Sequence, residues 1–190
     1  GHTRWSPTGN KIVFTNWGFT YDSDMFVRDL DTSTTFQITF HAPGVDAFNR
    51  ADWSPDGTKL AVNRQDKSTG LYDVYLIDVT DLANPGTPVN LTGDTPGSDE
   101  SSPTWSLDGQ YIVFASNSAG SSDIWAMRPD GTGRVNLTNT PDVDESSPAI
   151  AGAAGGCVQA FVEDFSSDPG WTTDQPANYY CDSGAQAYHA

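Results

Sequence analysis

A chain of 190 residues with 36% hydrophobic and 12% aromatic content can build one sizeable core, or one domain and part of another. Its 25 acidic and 9 basic residues leave a formal net charge of −16, which excludes nucleic acid and anionic membrane surfaces as partners, because like charge repels a phosphate surface before contact. No apolar run approaches the roughly 20 residues that span a bilayer, and most of the acids are Asp, which bonds its own backbone in turns, so the charge is expected in loops.

The chain opens Gly1-His2-Thr3-Arg4 with neither Met nor a signal sequence, and reads as a piece whose natural beginning lies further upstream. Trp5-Ser6-Pro7-Thr8-Gly9 is then the first of three related turns. Trp53-Ser54-Pro55-Asp56-Gly57 and Trp105-Ser106-Leu107-Asp108-Gly109 follow at intervals of roughly 50 residues, within the period range of propeller blades. Pro presets φ for the first turn position, Asp or Thr bonds locally, and Gly9, Gly57 and Gly109 supply the positive φ that closes a hairpin. Each turn leads into an apolar run of strand length: Lys11-Ile12-Val13-Phe14, Lys59-Leu60-Ala61-Val62 and Tyr111-Ile112-Val113-Phe114.

An Asp-led strand comes next, at Asp24-Met25-Phe26-Val27, Asp73-Val74-Tyr75-Leu76 and Asp123-Ile124-Trp125-Ala126. A fourth strand closes each unit at Phe36-Gln37-Ile38-Thr39, Val89-Asn90-Leu91-Thr92 and Val135-Asn136-Leu137-Thr138. No helical period intervenes, so each unit reads as four antiparallel strands in a meander, which is one propeller blade. The fold class is therefore all-β, with blades at about residues 1–40, 46–92 and 99–138 and the start of a further strand at 144–150.

As a set, the Trp-Ser-Pro-Asp-Gly turn, the Asp-Ile-Trp type strand and the Asn-Leu-Thr ending resemble the TolB-type, WD40-like β-propeller repeat over roughly residues 1–150. That resemblance implies a parent propeller of about six blades, so the three readable here are expected to form an arc with exposed edges. It also implies a periplasmic or extracellular scaffold that engages a protein partner.

Beyond the propeller, Ala151 to Cys157 reads as a linker of small residues, and 158–190 as the start of a second, truncated β domain. Glu163 to Trp171, with Asn178-Tyr179-Tyr180 behind it, resembles the opening strands of a laminin-G or concanavalin-like jelly roll, which would imply glycan contact through this tail. Ala154-Gly155-Gly156-Cys157 lacks the apolar stretch that precedes a lipoprotein processing site. Cys157 and Cys181 both lie beyond the repeats, which therefore carry no disulfide framework.

The polar set with most chemical interest is the acids preceding each first strand: Asp46, Asp99 with Glu100, and Asp144 with Glu145. If the first strand is innermost, these carboxylates gather at the mouth of a central channel, where hard oxygen ligands suit Ca²⁺ or Mg²⁺. The more economical alternative is that they bond backbone amides or the pairs Ser101-Ser102 and Ser146-Ser147 between blades. Asp24, Asp73 and Asp123 are expected to fasten turns, and Trp5, Trp53 and Trp105 to wedge between neighbouring blades.

Catalysis is hard to assemble from these residues. There is no Gly-x-Ser-x-Gly elbow, and His2, His41 and His189 are scattered, with no His-x-x-x-His or Cys-x-x-Cys spacing for zinc. The chain is thus read as a non-catalytic scaffold. Two alternatives stay open: an accessory propeller of a secreted peptidase or polysaccharide-degrading enzyme, and a glycan-binding surface adhesin.

Overall fold

The computed structural model describes residues 3–17, 23–41, 44–150, 157–158 and 180–181, and the chain divides into two units, Gly1–Ala149 and Ile150–Ala190. In the first unit β1 (Thr3–Trp5), β2 (Lys11–Trp17), β3 (Ser23–Asp29) and β4 (Thr34–Gln37) form an antiparallel sheet in that order. A second sheet follows from β5 (Asp46–Trp53), β6 (Lys59–Asp66), β7 (Tyr72–Asp78) and β8 (Val89–Asn90), and a third from β9 (Glu100–Trp105), β10 (Ile112–Ser116), β11 (Asp123–Met127) and β12 (Val135–Asn136). The described residues contain no helix, and the three meanders are the blades that the repeat predicts. In the second unit the backbone of β13 (Cys157–Val158) pairs antiparallel with β14 (Tyr180–Cys181), setting Cys157 opposite Cys181. The expected linker at 151–156 and the jelly-roll resemblance over Glu163 to Trp171 lie outside the described residues.

The recurring turn joins the first two strands of each blade in the same way three times. The hydroxyls of Ser6, Ser54 and Ser106 accept the backbone N–H of Lys11, Lys59 and Tyr111 at 3.0, 2.9 and 2.9 Å. The N–H groups of Gly9, Gly57 and Gly109 return to the carbonyls of those serines at 2.9, 2.8 and 3.0 Å. Asp56 and Asp108 accept the serine hydroxyl proton at 2.6 and 2.5 Å, whereas Thr8 shares one with Ser6 at 3.2 Å. The donors from Ser54 and Thr58 hold the Asp56 carboxyl below the usual carboxylate range. Leu107 in place of Pro leaves the third turn intact, because the closing bond and the left-handed φ of +72° belong to Gly109.

Regular pairing of the fourth strand stops earlier than the apolar pattern suggests, at Gln37, Asn90 and Asn136. A side chain takes over from the ladder there. Thr39, Thr92 and Thr138 each accept, through Oγ1, the N–H of Met25, Val74 and Ile124 at 2.9, 3.0 and 3.0 Å. The bond that a strand carbonyl would have made is thereby kept without strand geometry.

Adjacent blades stack face to face, with β1 beside β5 and β5 beside β9. Strand alternation divides β6 between two cores. Leu60 and Val62 pack with Val13, Met25, Val27 and Ile38 of the first blade, whereas Ala61 packs with Trp105, Ile112, Phe114 and Met127 of the third. All three β6 residues are fully buried, so the middle blade has no solvent face along this strand. Trp53 and Trp105 are each 5% exposed in the seams, and Trp53 Nε1 donates to Arg4 O at 3.4 Å; Trp5, with no seam on its side among the described residues, is 60% exposed.

Gly57 has φ +72°, and a Cβ built there would meet only Pro7 Cδ, at 3.9 Å, so the cost of a side chain is conformational and not steric. Gly57→Val should lower stability by about 2 kcal/mol, or a melting temperature by roughly 4–8 °C, and Gly57→Asn by less than half of that. Thermal unfolding followed by circular dichroism checks the ranking; a valine variant that melts with the parent contradicts the turn assignment.

Candidate functional site

The Asp that leads each third strand is a clasp for the fourth. Asp24 accepts Thr39 Oγ1 and the His41 N–H on Oδ1, at 2.8 and 2.9 Å, and Gln37 Nε2 on Oδ2 at 3.0 Å, where it also meets His41 Nδ1 at 2.8 Å. Asp73 takes Asn90 Nδ2 at 3.0 Å and Thr92 Oγ1 at 3.3 Å, and Asp123 takes Asn136 Nδ2 at 2.7 Å and the Thr140 N–H at 3.0 Å. The Asn-Leu-Thr ending is accordingly built from the ligands of this clasp, and Asp24 and Asp123 are buried in it.

Of the five acids expected at a channel mouth, Asp46, Asp99 and Glu100 lie at the seams between blades, and Asp144 and Glu145 lie in the segment that follows the third blade. Asp46 is paired to Arg64, whose Nε approaches at 2.8 Å and whose Nη2 is closer still. Asp99, just before β9, accepts the Tyr72 N–H of β7 at 2.8 Å, and Asp144 accepts the Ser122 N–H, just before β11, at 2.9 Å; the further strand expected at 144–150 is not formed, and this segment is held to the third blade by such bonds instead of by a ladder. Glu100 is 1% exposed, and its Oε1 accepts Ser98, Thr95 and Ser116 hydroxyls at 2.5, 3.1 and 3.1 Å. Glu145 takes Thr140 Oγ1 at 2.6 Å. Among the described residues no three acidic, histidine or cysteine side chains gather in a group that could hold a metal ion. The neighbours in each pair turn to different partners, Asp99 to Tyr72 and Glu100 to Ser98, Asp144 to Ser122 and Glu145 to Thr140.

The inner strands converge on a different residue. Pairing of β5 with β6 shifts between Asn49 and Ala51, and pairing of β9 with β10 shifts between Val113 and Ala115, which leaves Arg50 and Ser102 as bulged positions. Both stand three residues before the blade tryptophan, Trp53 or Trp105. Arg50 (φ +46°), Ser102 (φ +57°) and Ser147 (φ +57°) all hold the left-handed conformation that side chains avoid. The bulge turns the side chain inward, and Arg50 Nη1 reaches Ser102 Oγ at 2.8 Å and Ser147 Oγ at 3.5 Å. One cation therefore joins three successive inner segments. Such strain persists where the surroundings over-determine it, as at binding sites. Sequence reasoning passed over Arg50; aligning the repeats on Trp53 and Trp105 sets it level with Ser102 and marks it as the one charged member.

A family model described as the TolB beta propeller domain matches residues 2–158. An uncharacterised protein of Agrobacterium fabrum is 31% identical over 91 residues, which is 46% of this chain and 27% of that protein. Among solved structures, a protein described as TolB from Agrobacterium tumefaciens superimposes with a TM-score of 0.58 at 24% identity, over 72% of this chain and 45% of its own. TolB from Acinetobacter baumannii gives 0.56 at 22% identity, over 73% and 32%. Porphyromonas gingivalis dipeptidyl peptidase 4 gives 0.56 at 15% identity, over 72% and 25%. At these identities the likeness is one of fold, and the chain spans less than half the length of each of these proteins.

Burial pushes the Glu100 carboxyl above its usual pKa, outweighing the Ser98, Ser116 and Thr95 donors. A carboxyl raised in the folded state adds stability below its unfolded pKa of about 4.3, and that contribution is lost as pH rises through the folded value. Glu100→Gln, which cannot ionise, should therefore raise the melting temperature relative to the parent more at pH 7 than at pH 4. Paired thermal scans at both pH values test this, and equal differences would contradict it.

Proposed function

The chain belongs to the TolB β-propeller domain family, and we propose that within it this segment is a non-catalytic scaffold for a protein partner of an extracytoplasmic bacterial protein. The observation that carries the reading is Arg50, held at a strained bulge and bonded across to Ser102 and Ser147. Its Nε and Nη2 groups have no protein partner among the described residues, and a guanidinium with free donors is suited to a carboxylate, which it can take bidentately.

Charge constrains the partner further. A formal charge of −16 steers basic proteins toward the surface and repels acidic ones, so the partner is basic overall and presents a single carboxylate to Arg50. A second reading is an accessory propeller of a secreted hydrolase. It is favoured by the fold likeness to dipeptidyl peptidase 4, of which the chain spans 25%.

Basic peptides with a free C-terminal carboxylate should bind the chain about tenfold more tightly than the same peptides amidated, since a charge-assisted bond contributes roughly 1.5–3 kcal/mol. Arg50→Gln, which can still donate to Ser102, should abolish that preference and leave the melting temperature within about 3 °C of the parent. Surface plasmon resonance makes the comparison; an undiminished preference in the glutamine variant would remove Arg50 from the site.

A further inference from the structure

The seams between blades hold two equivalent clefts, and their polar atoms are treated differently. The cleft between the first and second blades, of about 330 Å³, is lined by Asp46, Phe48, Arg64 and Pro88 among others. Its charges are satisfied internally. Arg64 pairs with Asp46, donates to Tyr75 OH at 2.9 Å, and lies over the Phe48 and Tyr75 rings at 5.7 and 5.2 Å. Tyr75 OH meets Asn90 Nδ2 as well, at 3.1 Å.

The strand registers carry these positions onto the next seam. Phe48 faces Arg64 across β5 and β6 as Glu100 faces Ser116 across β9 and β10, and Val62 faces Tyr75 as Phe114 faces Trp125. Arg134 precedes Val135 as Pro88 precedes Val89. In the second seam these substitutions line a cavity of about 160 Å³ with Thr92, Thr95, Glu100, Ser116, Trp125 and Arg134. Three buried polar atoms around it have no hydrogen-bond partner: Glu100 Oε2, Trp125 Nε1 and Arg134 Nε. Glu100 itself is 1% exposed. Arg134 is fixed from its other end, where Nη2 bonds Leu91 O and pairs with Asp94 Oδ1 at 2.6 Å. Each unpartnered group is costly to bury alone, and here three share one cavity.

Their chemistry selects an occupant. A cation would face two N–H donors, one on a guanidinium, and an anion would face a carboxyl that the neighbouring hydroxyls already bond as an acceptor. A neutral group with both a carbonyl and an N–H meets neither penalty. We propose that this second seam is a binding pocket for a primary carboxamide, whose oxygen accepts from Trp125 Nε1–H and Arg134 Nε–H and whose N–H donates to Glu100 Oε2. The group is that of a free small amide or of an Asn or Gln side chain on a bound peptide. The first seam has no such vacancy because Arg64 and Tyr75 already complete each other.

Acetamide, N-acetylglutamine methylamide, N-acetylmethionine methylamide and sodium acetate, each titrated into the 190-residue chain, test the pocket by NMR. The carboxamides should bind saturably with dissociation constants of about 1–50 mM, the range open to so few heavy atoms. One of the six tryptophan indole N–H signals should move, and it should be the signal missing from Trp125→Phe. That variant should weaken binding about fivefold or more, as loss of one hydrogen bond to a buried group implies. Tighter binding of the glutamine compound than of acetamide, with the methionine compound inert, identifies a peptide side chain as the source; the reverse order identifies a free small amide. Acetate binding as well as acetamide, an unchanged affinity in Trp125→Phe, or no saturable response to either carboxamide by about 100 mM overturns the proposal and leaves the cavity to water.

Discussion

A four-stranded antiparallel sheet has two faces and cannot bury either by itself. This requirement organises the first unit. The middle blade meets it on both sides: Leu60 and Val62 look into one seam and Ala61 into the other, all without solvent contact. A two-faced strand cannot show the apolar and polar alternation of a half-exposed sheet, and Lys59-Leu60-Ala61-Val62 shows none. Where no neighbouring blade is among the described residues the equivalent ring is open, and Trp5 at 60% exposure is that case.

Apolar packing brings the blades together but sets their relative height and rotation only loosely, because dispersion is nearly non-directional. Directional bonds across the seams supply what is missing. Ser23 Oγ donates to Phe48 O at 2.7 Å, and Asp52 Oδ2 accepts Thr104 Oγ1 and the Trp105 N–H at 2.9 and 2.8 Å. Asp99 and Asp144 act in the same way on Tyr72 and Ser122. Much of the acidic content is therefore structural, taken up by backbone amides and hydroxyls. Acidic pH removes part of this: the carboxyls of Asp29, Asp56, Asp66 and Asp78 are held low by local hydrogen bonds, and the stability they contribute is present above their unfolded pKa and lost as pH falls through the folded values.

What was legible in the sequence is what repeats. The turn serines, the closing glycines and the Asp-led strands recur because one backbone geometry demands them three times, so position and role could be read together. The early end of the fourth strand was hidden, since Val89 to Thr92 is apolar enough for a strand and only the structure shows Thr92 Oγ1 standing in for a carbonyl. The acids before each first strand were legible as a set but not as a geometry: spacing alone does not say which backbone amides and hydroxyls each carboxylate takes, nor that neighbours take different ones. Arg50 was obscured by the bulge in β5, because one extra residue inverts the side to which a side chain points.

The proposed sites fall on the other class of positions, those where equivalent residues differ. A repeat has to keep whatever holds its own sheet and its seams, so exchange is confined to sites whose bonding can be completed in more than one way. Phe48, Glu100 and Glu145 occupy one such position, and Arg50, Ser102 and Ser147 another. At the first, Phe48 comes with an internally satisfied Arg64 and Tyr75, whereas Glu100 and Glu145 each retain a buried oxygen without a partner. At the second, a charge replaces a hydroxyl on a strained backbone that the second blade, the third blade and the segment after β12 nonetheless share. A fold that needed only stability would have no reason to hold polar atoms buried and unpaired on one seam while pairing them on the next. The unevenness between seams is thus the physical observation on which both proposed sites rest, set against a frame that repeats.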